Sequence, residues 1–286
     1  LEEKIIPGDM PGDKVEINNT HINRAEVLFP HLLENINKLN RDKVVISVYG
    51  GSGVGKSEIG SLLSHYLREE GLETYLLSGD NYPHRIPKEN DRERENRFRE
   101  AGLVALSLEK DFEDSWSSRL KESWESGVEL NDEFYNIYFE AGESALREYL
   151  GTEKEINFRL INSIISRFLN NETSIPLKRM GREIDDLWFE KVDFKNIKVL
   201  IIEWTHGNNN LLNGVDIPIF LFSTPKETLE HRLSRGRDKG VDSPFTNLVL
   251  SLEQEKLNSQ ADRASLIISK SGELLSLEDF KLRSME

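Results

Sequence analysis

Three observations predict an α/β protein built as a three-layer fold around a mostly parallel five-stranded sheet. Short, β-branched, almost wholly apolar runs alternate with amphipathic stretches at helical spacing. The apolar runs lack the in-out alternation of a half-solvated strand, so both of their faces are buried. A glycine-rich loop joins the first run to the helix after it, and ligands in such sheets bind beyond the carboxyl ends of the strands.

Residues 1–42 form an N-terminal arm and helix. The arm is rich in Gly, Pro, Asn and Asp, and Val27, Leu28, Leu32, Leu33, Ile36 and Leu39 then recur on one helical face. KVVISVYG (43–50) is the first strand, followed by a helix carrying Ile59, Leu62, Leu63, Tyr66 and Leu67 and ending at Gly71. ETYLLSGD (73–80), KVLIIEW (198–204), IPIFLFS (217–223) and SLIISK (265–270) supply the other four strands. Residues 43–286 make one domain. Residues 101–197 within it read as a helical insert between strands 2 and 3, with no clear buried strand, on the acceptor side of the site. Trp188 and Phe189 are expected to pack in the core or in this cap. Thr224, Pro225 and Glu227 form a helix start with a capping box after the fourth strand.

Lys and Arg total 37 against 51 Asp and Glu, a net charge of −14. Such a surface repels nucleic-acid backbones and anionic membranes, so neither is expected as a partner. The absence of cysteine removes disulfides, thiolate metal sites and cysteine nucleophiles. No apolar run approaches a membrane span, and LEEKIIPGDM lacks the basic and apolar regions of a secretion signal, so a cytoplasmic location is expected. Oligomeric state stays open, a homodimer included.

Gly50-Gly51-Ser52-Gly53-Val54-Gly55-Lys56-Ser57 matches the P-loop pattern G-x-x-x-x-G-K-[ST] in full, between a buried strand and an amphipathic helix. The fold is therefore expected to be that of a P-loop NTPase. Glycines let successive N–H groups turn inward around phosphate, and the helix N-terminus adds a favourable dipole. Gly51, Ser52, Gly53, Val54, Gly55, Lys56 and Ser57 are the candidate nucleotide-binding residues. Lys56 reaches the β- and γ-phosphates, and the Ser57 hydroxyl ligates Mg²⁺. ATP and Mg²⁺ are the expected cofactors, with GTP not excluded by the loop itself.

The second strand ends in Ser78-Gly79-Asp80-Asn81-Tyr82, followed by His84 and Arg85. A carboxylate there faces the γ-phosphate, and Asp80 is placed to accept the proton of an attacking hydroxyl. GGSGVGKS, the GDNY strand end and VLIIEWTHG together resemble the uridine kinase and phosphoribulokinase group of P-loop kinases. That resemblance makes Glu203 a metal-organising acid and His206 part of a Glu-x-x-His element, with Trp204 where the group has Gly. Residues 151–182 resemble the group's acceptor-side region, which brings in Arg179. The run LSGDNYPHRIPKENDRERENRFRE (77–100) resembles adenylylsulfate kinase. It implies substrate contacts from Asp80, Arg85, Arg92 and Asn96, with Tyr82 and His84 alongside, although residues 90–100 read equally well as a solvated helix.

Arg232, Arg235 and Arg237, after the fourth strand, correspond to the lid arginines of both groups, which neutralise the transferring phosphoryl group. The expected function is an ATP-dependent kinase acting on a hydroxyl of a small molecule of nucleoside, sugar or polyol type, with Lys56, Asp80, Arg232 and Arg235 catalytic. Adenylylsulfate kinase is the alternative. A regulatory P-loop ATPase is the alternative of another class, disfavoured because neither an N-K-x-D base-reading motif nor a Walker B aspartate is present.

Overall fold

The computed structural model describes residues 5–12, 14–109, 113–126, 133–183, 185–224, 227–228 and 243–284. The arm leads into α1 (Asn19–Leu39), whose start is closed by a reciprocal cap between Asn18 and His21. Then follow β1 (Val44–Tyr49), α2 (Lys56–Glu69) and β2 (Thr74–Ser78). Between β2 and the next sheet strand lie α3 (Pro87–Ser107), α4 (Ser115–Ser126), α5 (Glu133–Arg147), α6 (Phe158–Leu169), β3 (Ser174–Met180) and β4 (Leu187–Asp193). The chain continues through β5 (Val199–Glu203), β6 (Ile217–Leu221), α7 (Pro244–Asn258), β7 (Leu266–Ile268) and α8 (Leu277–Arg283).

The main sheet has the order β2-β5-β1-β6-β7, and every pairing in it is parallel. Its five strands are the five read from the sequence. Alternate residues divide between two cores, as strand pleating requires. Val44, Ile46, Val48, Leu76 and Ile201 meet α1 and α2 on one face. Val45, Leu77, Leu200 and Ile202 meet α6 and β3 on the other. The 15 residues of α7 pack Val249 and Leu252 against Phe98 and Tyr138 of α3 and α5.

The stretch 101–197, expected to be mostly helical with no clear buried strand, contains an antiparallel hairpin, β3–β4. β3 escaped detection because its buried residues include Lys178 and Arg179, at 7% and 5% exposure on opposite faces, which hide the apolar alternation of Ile175 and Leu177. β4 corrects a second expectation. Trp188 and Phe189 are 46% and 56% exposed. Among the described residues β4 pairs with β3 alone, so the core is filled from the other strand. Among the described residues no helix is long and apolar enough to cross a membrane.

Candidate active site

β1 ends at Tyr49 and the chain turns through the glycine-rich loop into α2. Gly50 has no room for a side chain, because a Cβ there would sit 2.5 Å from the Leu221 carbonyl oxygen. Gly55, at φ +95°, takes the left-handed conformation that starts α2, where a side chain would be strained. Lys56 Nζ folds back to donate to the Gly51 carbonyl at 2.9 Å. On the neighbouring strand Glu203 stands at the level of Val48 and Ser78. Its Oε2 accepts a hydrogen bond from Ser57 Oγ at 3.2 Å. The two residues expected to share a metal are therefore adjacent, although 146 positions separate them in sequence.

A cavity of about 1060 Å³ opens beyond these strand ends. Ser52 of the loop, Asp80, Trp204 and His206 form its inner part. Asp80 sits in a short 3₁₀ turn, Gly79–Asn81, and is exposed to the cavity. One face of α3 lines the next part, with Asn90, Asp91, Arg94, Glu95 and Phe98 at helical spacing. Tyr135, Tyr138 and Phe139 of α5 and Phe245 of α7 complete an aromatic end. The α3 and α5 backbones approach closely because each offers a glycine to the other's ring. A Cβ on Gly102 would meet Tyr138 at 2.3 Å, and one on Gly142 would meet Phe98 at 2.6 Å.

A buried polar network ties these walls together. Glu155 accepts from Asn90 Nδ2 at 2.9 Å, Arg94 Nε at 2.8 Å and the Gly151 N–H at 2.6 Å. Arg94 also reaches Glu253 of α7 at 3.0 Å. Burial alone would raise the Glu155 carboxyl, but Arg94 and these hydrogen bonds hold it below the usual range. Burial pushes Glu253 upward despite Arg94. Burial likewise lowers His206 to about 4, so its imidazole is neutral near pH 7.

Of the residues expected to touch the acceptor, Asp80, Arg85 and His206 line the cavity. The others do not. Tyr82 is fully buried in the core between sheet and α6. His84 is exposed and bonds the Glu153 carbonyl. Arg92 and Asn96 are exposed on a different face of α3, because helical phase turns them from the cavity while bringing Arg94 and Glu95 in. Arg179 is buried in an ion pair with Asp9 at 2.8 Å. Arg232, Arg235 and Arg237 lie outside the described residues, as does Pro225. The cap itself is present, with the Thr224 N–H on Glu227 at 2.7 Å and the Glu227 N–H on Thr224 Oγ1 at 3.3 Å. Sequence reasoning missed Arg94, Glu155 and Glu253. Only the apolar-and-charged face of α3, read by helical phase, could have signalled Arg94.

The strand order, the loop and the Ser57–Glu203 pair define a P-loop nucleotide-binding fold. The adenylylsulphate kinase family model matches residues 42–115. A bifunctional alpha-galactosidase/sucrose kinase, AgaSK, from Mediterraneibacter gnavus is 43% identical over 231 residues, which is 81% of this chain and 20% of that protein. An adenylyl-sulfate kinase from Klebsiella pneumoniae is 40% identical over 65 residues, 22% of this chain and 32% of that one. The chain thus spans about a fifth to a third of these relatives' lengths. A solved structure assigned as a fructose transport system kinase, from Silicibacter sp., superposes with a TM-score of 0.51 at 14% identity, covering 83% of this chain and 94% of that one. At that identity the likeness is one of fold.

Proposed function

We propose that the chain transfers the γ-phosphate of ATP to a hydroxyl of a neutral sugar of disaccharide size, sucrose being the first candidate. The observation that carries this reading is the cavity, which runs from Ser52 and Asp80 to the rings of Phe98, Tyr135, Tyr138 and Phe139. Its described lining holds six carboxylates, Asp80, Asp91, Glu95, Glu155, Glu183 and Glu253, and four cations, Arg85, Lys88, Arg94 and Arg182. Such a mixed lining supplies donors and acceptors for many hydroxyls, and aromatic faces cover the apolar side of a sugar ring. It offers an anionic acceptor no cationic excess. The long match to a protein named as a sucrose kinase supports the same choice.

The residues fit a magnesium nucleotide. Ser57 and Glu203 would hold the ion together with phosphate oxygens, because no group of three or more His, Asp or Glu that could hold a metal occurs among the described residues. A Mg²⁺ ion held there would offset the negative charge that develops on the transferring phosphoryl group. Loop N–H groups and Lys56 orient the γ-phosphate. Asp80 takes the proton of the acceptor hydroxyl as its oxygen bonds to phosphorus and the bond to ADP breaks. The walls on α3, α5 and α7 keep water from competing.

ADP release with Mg-ATP over sucrose, other disaccharides, monosaccharides, uridine and adenylylsulfate tests the proposal, with Asp80→Asn alongside. Stimulation by a disaccharide, abolished in Asp80→Asn, is expected. Stimulation by adenylylsulfate alone would replace the sugar reading with the sulfate one. Fast release without any acceptor would replace both with an ATPase.

A further inference from the structure

Asp9 lies in the N-terminal arm, outside every motif read from the sequence, yet four donors converge on it. Its Oδ1 accepts from the Ser78 N–H at 2.7 Å and from Asn81 Nδ2 at 3.2 Å. Its Oδ2 accepts from Tyr75 Oη at 2.9 Å and Arg179 Nη1 at 2.8 Å. These donors come from β2, the turn that carries Asp80, and β3. Asn81 in turn accepts the Met180 N–H at 3.0 Å, so the same turn is pinned to the end of the hairpin. The arm also passes the metal-side carboxylate, since a Cβ on Gly8 would lie 3.6 Å from Glu203 Oε1. Met10, one residue beyond Asp9, is part of the cavity wall.

We propose that Asp9 is a positioning residue for phosphoryl transfer, holding the Gly79–Asn81 turn so that the Asp80 carboxylate meets the acceptor hydroxyl, while Met10 closes the wall beside it. This rests on the proposed role of Asp80 but on no particular acceptor. The carboxylate is needed rather than a polar side chain of equal size. An amide in its place would turn an NH₂ group toward one of the two donor pairs, leaving a donor against donors. Asp80 would then sample positions away from the acceptor, and a displacement of about 1 Å in such a group costs on the order of 10²-fold in rate.

The test compares the whole chain with Asp9→Asn, Asp80→Asn and the double variant, on whichever acceptor the panel identifies. Asp9→Asn is expected to lower kcat by about 10- to 100-fold with the KM for ATP within about twofold. The double variant is expected to be no slower than Asp80→Asn alone, because Asp9 acts through Asp80. Asp9→Glu in the whole chain, which keeps the carboxylate on a longer stem, serves as the second measurement and is expected to retain more kcat than Asp9→Asn. An unchanged kcat in Asp9→Asn, full additivity in the double variant, or equal loss in Asp9→Glu and Asp9→Asn would overturn the proposal. Full activity of Asp80→Asn would remove the role of Asp80 and this proposal with it. A change of acceptor class would remove only the sugar reading.

Discussion

Trp204 packs directly against Gly79, so close that a Cβ on that glycine would come within 1.9 Å of the indole Cγ. The pair joins the carboxyl ends of β5 and β2, between Glu203 and Asp80. Trp204 is 1% exposed and is braced by Phe158 and His206, with ring centroids 5.6 and 5.3 Å away. Braced on those sides, the indole has little room to yield. Gly79→Ala is therefore expected to destabilise the fold by about 1–3 kcal/mol through overpacking. Trp204→Phe in the same chain is expected to recover part of the loss. Denaturant midpoints of the two single variants and the double variant measure the coupling, and strict additivity would contradict the contact.

The α3 helix offers a test of phase. Arg94 bridges Glu155 and Glu253 from the cavity face, whereas Arg92 is exposed on another face. Arg94→Ala leaves the nearly buried Glu155 short of its cation, which is expected to cost about 3 kcal/mol. Arg92→Ala is expected to stay within about 0.5 kcal/mol of the parent and to leave acceptor kinetics alone. Urea unfolding of both, with acceptor KM, separates them. Equal effects would mean that the helix is rotated from the phase described.

Gly142 lets Phe98 approach α5, and Phe98 is part of the cavity lining. Gly142→Ala adds a methyl into the Phe98 ring and is expected to push that ring toward the acceptor. The KM for the acceptor should rise severalfold with the KM for ATP unchanged, since the loop is built from other elements. Steady-state kinetics with each substrate varied in turn reads the split.

His206 titrates at about 4 in the folded chain against about 6.5 when unfolded. Between these values the unfolded chain binds more protons, so the stability associated with the neutral ring is present above about pH 6.5 and is lost as pH falls toward 4. The lowered Glu155 carboxyl adds loss of the same sign at still lower pH. His206→Gln is expected to lose up to about 2 kcal/mol less than the parent between pH 7 and 5. Thermal unfolding of both proteins across that range reads the difference, and parallel curves would show that the ring charges without cost.

The sheet was legible in the sequence because each of its strands buries both faces within its own layer, so a run such as KVVISVYG carries its environment locally. The P-loop was legible for a related reason, since its glycines answer a backbone requirement set within eight residues. The hairpin was not legible. Arg179 is held in β3 by Asp9, 170 residues away, together with Glu190 across the hairpin, and the Asp9 contact has no signal near Arg179 in sequence. Trp188 and Phe189 misled for the converse reason, since their apolarity is local but none of the described elements covers them.

The amino-acid sequence by itself determined the elements and the phosphate end of the site: five strands, the loop, and Ser57, Asp80 and Glu203 at strand ends. Tertiary structure alone decided the acceptor end. Which face of α3 turns inward, which acid meets Arg94 and where the arm crosses the sheet depend on contacts between segments far apart in the chain. Local periodicity states how much of a segment is buried, and only packing states against what.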